Sequence, residues 1–196
     1  MKKIIFVLLI VITVSSCSIF NDIGGMYNFA KCDFRLKSVE NIHLAGVNVQ
    51  NIANKSQLSP INVAQLIAAV ASNQFPLEFV LNMEIKNPNN QKAVMNAMEW
   101  ILLIDDIEMT KGRLDKRVEI MPNNQIATMP LNFNFDLKKV LSGKSADAII
   151  NFGLNLAGAG NSPTRIKLKA KPSMIIGNYS VPYPGYITIS QEFGNY

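Results

Sequence analysis

The sequence is poor in the residues on which most catalysis and metal binding depend. It holds one histidine, His43, and two cysteines, Cys17 and Cys32. Zinc sites gather several Cys or His ligands at set spacings, and a general base needs a partner within hydrogen-bond reach. Nothing of either kind flanks His43, which reads as a residue on the face of an alternating strand. Acid clusters are scarce too. Asp105, Asp106 and Glu108 stand together without EF-hand spacing or a further acid nearby, so they read as a solvated turn and not a calcium site. Gly143–Lys144–Ser145 has the ending of a phosphate-binding loop, but position 138 is Lys where that motif requires Gly. A helix stop followed by an N-cap fits it better. No internal repeat recurs at a fixed period. No catalytic, cofactor or metal site is expected, and the chain is expected not to be an enzyme; a hydrolase would need carboxylates roughly 5–10 Å apart in a cleft.

Long apolar runs are also nearly absent. The one clear case is Ile4 to Val14, broken only by Thr13. A bilayer span needs about 20 apolar residues, so this run is too short to cross. It follows Lys2–Lys3 and leads into Val14–Ser15–Ser16–Cys17, the layout of a secretory signal peptide. Val-Ser-Ser-Cys resembles the bacterial lipobox, with Val14 in place of the commoner leucine. That resemblance implies cleavage before Cys17, a thioether-linked diacylglycerol on it, and acylation of its new amine, palmitate being the expected chain. Lipid chains contribute about 0.8 kcal/mol per buried CH₂, and two or more anchor stably where one does not. Ser18 after the Cys fits outer-membrane sorting by analogy. The uncharged Ser18 to Asn21 favours the periplasmic face over the cell surface.

Three parts follow: a signal peptide at 1–16, a lipidated tether at 17–31, and one domain at 32–196. Cleavage removes Lys2, Lys3 and no acid, so the net charge of +5 falls to +3. That is too modest for a nucleic-acid partner. Cys32 is left as an odd thiol, either buried or paired between chains, and burial is the expectation.

What the domain does have is alternation. Leu77 to Gly112 reads as strand, Asn-Pro-Asn turn, strand through Trp100 to Ile104, Asp-Asp turn, and a short strand from Ile107 to Lys111. Apolar residues on both faces around Trp100 predict an interior strand. Before this stretch, Cys32 to Val49 is one strand kinked at Gly46, or two strands. After it come Leu114 to Ile120 and Ala127 to Phe135, where Pro130 requires an edge or a local break. Thr164 to Lys171 is stopped by Pro172. Met174 to Ile176, a Gly177–Asn178 turn, Tyr179 to Val181 and a last strand from Tyr186 to Gln191 complete the pattern. Ile61 to Ser72 is a helix, with Ser59 as N-cap and Pro60 at its first position. Its stripe of Val63, Leu66, Ile67 and Val70 is expected to pack over an open end of a sheet. It carries no Lys or Arg, unlike most interfacial membrane helices. Asp136 caps a second helical segment, and a third runs from Ser145 to about Leu156. About eight strands with short turns predict a mainly β fold, a β-sandwich in Greek-key order, with an inserted helix and one or two helices after the central strands.

Lys86–Asn87–Pro88–Asn89, Met98–Glu99–Trp100–Ile101–Leu102, Ile104–Asp105–Asp106 and Gly112 together resemble the late embryogenesis abundant type 2 family, also called the WHy domain. Met121–Pro122–Asn123 and Pro130–Leu131 match its proline-containing loop and following strand. The likeness covers about Phe34 to Leu141, and more loosely Thr164 to Ile189. It implies an immunoglobulin- or fibronectin-III-like sandwich without enzyme activity, tied to stress protection and to membrane- or protein-associated roles. The helix at Ile61 to Ser72 departs from that pattern.

The candidate contact surface is a basic stripe. Arg165, Lys167, Lys169 and Lys171 share one strand face, about 20 Å long at about 3.3 Å per residue. It suits anionic lipid headgroups or an acidic protein partner. Equally, lysines on an edge strand would block edge-to-edge pairing. Asn87 to Asn90 and Asn123 to Gln125 read as polar, uncharged loops, expected at one end of the sandwich, where they could bind a partner or glycan. The sequence thus predicts a lipid-anchored, non-catalytic binding or structural protein of the envelope, or else a carrier of an apolar ligand in a cavity capped by the inserted helix.

Overall fold

The computed structural model describes residues 24–196 apart from 51, 53, 73, 161, 177, 195 and 196. Cys17, the signal peptide and Gly177 lie outside the described residues.

Alternation dictates the first sheet. In β3 (Pro76–Asn87), Leu77, Phe79, Leu81, Met83 and Ile85 all point inward and are buried. β8 (Gln125–Asp136) does the same with Met129, Leu131, Phe133 and Phe135. With β1 (Asp33–Leu44) and β2 (Val47–Asn48) these strands form an antiparallel sheet in the order β2-β1-β3-β8. Pro130 lies on β8, at the edge of this sheet, where one side of the strand needs no donors. β1 and β2 are two strands joined at Ala45–Gly46, both with positive φ (48° and 79°).

The second sheet is built on β5 (Ala97–Ile104), flanked by β6 (Ile107–Leu114) and β9 (Thr164–Ile176). Beyond β9 lie β10 (Tyr179–Pro182) and β11 (Ile187–Phe193). β4 (Ala93–Met95) and β7 (Val118–Ile120) pair separately. The chain crosses to the second sheet for β5 and β6 and returns to place β8 beside β3. That crossing makes the molecule a β-sandwich and not a meander. The sheets meet through aromatic packing: the Trp100 and Phe133 rings stand edge to face at 4.9 Å, and Phe79 lies 5.2 Å from Phe133.

Two strands run further than the sequence pattern implies. β9 passes straight through Pro172. Its first half pairs with β11 up to Ala170–Ile187, and its second half pairs with β10 from Ser173–Pro182. The proline's missing N–H falls where one neighbour gives way to the next, and its carbonyl still accepts from Tyr183 N–H (2.8 Å). β6 likewise passes through Gly112, which sits opposite Trp100.

The helices gather at one end. α2 (Pro60–Ala71) begins as expected, with Ser59 Oγ accepting from Asn62 N–H. α3 (Leu137–Val140) is capped by Asp136, whose carboxylate accepts from both Lys138 N–H and Phe75 N–H. α4 (Ala146–Leu156) is capped by Ser145. Gly153 of α4 lies directly on Leu44, and a Cβ there would come within 2.4 Å of a Leu44 methyl. The absence of a side chain is what lets α4 close down on the sheet.

At the other end, residues 24–30 form α1, within the stretch that the sequence pattern assigns to a plain tether. Met26 and Phe29 are buried, Met26 against Val94 and Met174. The tether reading therefore fails from residue 24 onward, because two buried apolar side chains hold this segment to the domain.

Cys32 ends that segment and is itself buried, its thiol donating to the Asn28 carbonyl (3.4 Å). Burial, with Asp33 beside it, pushes the thiol up to about 12. The thiolate is the reactive form, so the native protein should not react with a thiol reagent at pH 8. One equivalent per acylated chain should react after unfolding in guanidinium. Stoichiometric labelling of the folded protein would show that Cys32 is open to solvent.

Candidate functional site

The basic stripe lies on the outer face of β9. β9 is not an edge strand, because β5 pairs along one side and β10 and β11 along the other. Protection of an edge is thus not what the lysines do. Lys169 and Lys167 are the cross-strand neighbours of Ile101 and Leu103 of β5, which are half-buried on the same face. Much of the stripe's charge is also answered within the chain. The Asp106 carboxylate accepts from both Arg165 and Lys167. Hydrogen bonding from Lys167, with the charges of both cations, holds Asp106 below the usual carboxylate range. Asp105 Oδ1 accepts from the Arg165 backbone N–H (2.9 Å). Lys171 lies over the Tyr186 ring at 5.7 Å.

The acidic turn is therefore a hairpin turn, with positive φ at Asp105 (50°) and Asp106 (64°) and both carboxylates engaged. Gly143–Lys144–Ser145 is a helix stop and an N-cap. His43 lies on the outer face of β1 opposite Glu78, its Nδ1 2.9 Å from the Asn41 carbonyl. Among the described residues no three His, Cys, Asp or Glu side chains gather as a metal site would require.

The exposed apolar side chains mark the ends of the sandwich. At the helical end, only Leu66 of the α2 stripe is buried. Val63 (40%) and Ile67 (59%) remain exposed, as does Ile61 (78%) beside them. They border a groove of about 270 Å³ between α2 and α4, completed by Leu58, Ile150 and Leu154, with Lys55 and Asp147 at its rim. Periodicity identified the apolar face of α2 correctly. It could not show that α4 would cover only part of that face. The space that α2 borders is an open groove, not an enclosed chamber.

The opposite end is where α1 enters. Here the two asparagine loops meet, Asn124 N–H donating to the Asn87 carbonyl (2.8 Å) and Asn123 N–H to that of Asn89 (3.0 Å). Asn87 is fully buried. Its Nδ2 donates to the carbonyls of Gln91, Ile120 and Met121, and its Oδ1 accepts from the N–H and Nδ2 of Asn89. Asn89 Nδ2 reaches on to the Asn28 carbonyl of α1 (3.0 Å). The side chains and backbone of the two loops are thus turned on one another.

The N-terminal residues 1–18 match the model for a prokaryotic membrane lipoprotein lipid attachment site, a match that ends one residue past Cys17. The chain is a membrane-anchored lipoprotein. No curated protein sequence is significantly similar to this lipoprotein over its length. Similar solved structures include a protein from Archaeoglobus fulgidus, 16% identical, covering 82% of this chain and 98% of that one at a TM-score of 0.37. Others are a protein from Arabidopsis thaliana (8%, covering 84% and 80%, TM-score 0.37) and a putative late embryogenesis abundant (LEA) protein (10%, covering 97% and 88%, TM-score 0.35). Among the described residues no helix is long and apolar enough to cross a membrane.

Proposed function

We propose that this is a non-catalytic lipoprotein, acylated at Cys17 and held at the periplasmic face of the outer membrane. Its groove between α2 and α4 takes an apolar segment of another envelope protein. One observation carries this reading: α2 has no charged residue and leaves Val63 and Ile67 open beside Leu58 and Ile150. Such a face costs solubility unless something covers it. The groove's size favours side chains of a partner over an engulfed small molecule. Ligand pockets run to about 300–1,000 Å³ and bury most of their ligand, whereas this groove holds about 270 Å³ and is open to solvent. Lys55 and Asp147 at the rim supply one charge of each sign to orient an amphipathic helix.

The test is a photo-reactive residue placed at Ile67 and, as a control, at the exposed Asn132 on the outer face of β8, followed by irradiation of intact cells. A protein adduct is expected from position 67 and not from 132, and it should disappear when Val63→Glu is added. Cys17→Ala should abolish incorporation of labelled fatty acid and release the chain from the membrane fraction. An adduct of lipid alone at position 67 would replace the partner reading with that of an apolar-ligand carrier. Equal adducts at both positions would remove the groove from consideration.

A further inference from the structure

Three of the chain's five tyrosines, Tyr27, Tyr179 and Tyr183, lie at the α1 end of the sandwich; Tyr186 lies further down β9, beside Lys171, and Tyr196 is outside the described residues. Tyr27 and Tyr183 meet edge to face at 5.8 Å. Tyr27, Tyr179 and Tyr186 are exposed, and so are Ile175 and Val181 of the β9–β10 hairpin and Met121 beside the Asn87 loop. Lys171 sits over Tyr186 five residues before β9 ends at Ile176. Tyrosine has an apolar ring and a polar tip, and it is enriched where membrane meets water.

Chain length decides which end faces the bilayer. Six residues lie between Cys17 and Gly24, so the seven Cα-to-Cα steps reach at most about 25 Å at about 3.6 Å each. β3 runs from Pro76 at the helical end to Asn87 at the α1 end. At about 3.3 Å per residue, its 12 residues span about 36 Å. Gly24 opens α1, which Asn89 and Val94 hold at the Asn87 end. The reach is shorter than β3, so a chain anchored at Cys17 cannot stand on its α2–α4 end with α1 uppermost.

We propose that the tyrosine-bearing end seats in the headgroup zone of the bilayer that holds the acyl chains. The sandwich then stands upright, and the α2–α4 groove is held out toward the compartment. This rests on the Cys17-anchored reading above. The basic stripe then runs along the membrane normal, and only its Lys171 end approaches the headgroups.

The test uses the full acylated chain in vesicles of phosphatidylethanolamine and phosphatidylglycerol containing lipids brominated near the headgroup. Tyr179→Trp and Ile61→Trp introduce reporters at side chains of equal exposure, 78% each, at opposite ends. The wild type, with Trp100 alone, gives the baseline. Both variants should float with the vesicles. The added emission of Tyr179→Trp should be quenched and that of Ile61→Trp should not. Flotation without quenching at 179, or with equal quenching at 61, overturns the seated end while the anchor stands. Failure to float overturns the anchor and this orientation with it.

Discussion

Replacing Asn87 with leucine should cost about 3–5 kcal/mol of folding stability, since each buried polar group left unpaired costs about 1–3 kcal/mol. The side chain is fully buried, and its amide serves three carbonyls and two donors from Asn89. Leucine fills nearly the same volume, so the loss is one of hydrogen bonds and not of packing. It strands groups on the β3–β4 turn and at the end of β7 together, and it loosens the Asn89 link to α1. Against a typical total of about 5–15 kcal/mol, that should lower the melting temperature by roughly 10 °C or more. Asn87→Asp should be worse at pH 7, because a carboxylate would then face three carbonyl oxygens. Burial raises the pKa of such a carboxyl in the folded state, so the protein should be most stable below the unfolded value near 4 and lose stability as pH rises through the folded one. The exposed neighbour Asn90→Ala should change stability by less than about 0.5 kcal/mol. Urea unfolding of the four proteins, followed by circular dichroism, checks this. Equal stability of the leucine variant and wild type would mean that the loop does not depend on the Asn87 amide.

Asn87 also shows where reading from sequence stops. Lys86–Asn87–Pro88–Asn89 is recognisable as a turn, and its likeness to a known pattern points to the right fold class. That Asn87 is a buried hub depends on Ile120 and Met121, 33 and 34 residues away, which no local signal connects to it. The same contrast holds elsewhere. The alternation of β3 and β8 was legible because one face of each is solvated and the other is core. Ser59–Pro60 was legible because capping chemistry is local. The course of β9 through Pro172 was not, because it depends on which strand lies alongside. The basic stripe was visible as a row of charges. Its pairing with Asp106 was not, because it needs the β5–β6 turn to meet the start of β9.

Gly112 is the last such case, and it gives the sharpest test of the core. A glycine inside a strand ordinarily weakens it, so Gly112→Ala should be favourable by about 0.5–1 kcal/mol if backbone freedom were all that mattered. Instead, a Cβ at Gly112 would lie 2.5 Å from Trp100 Cζ2 and 2.9 Å from Cη2. The indole cannot simply withdraw, because Phe133 stands edge-on against it at 4.9 Å. Overpacking of this kind costs about 1–3 kcal/mol, which outweighs the backbone gain. Gly112→Ala should therefore destabilise, and Gly112→Val should do so more strongly. The cause is separable by a double mutant. Trp100→Phe removes the benzo-ring atoms that a Cβ would strike, at the cost of a cavity beside Phe133. In the Trp100→Phe background, Gly112→Ala should turn neutral or stabilising, a coupling of about 1–3 kcal/mol for residues in direct contact. If the alanine costs the same with and without the indole, backbone strain in β6 and not ring contact is what requires glycine there.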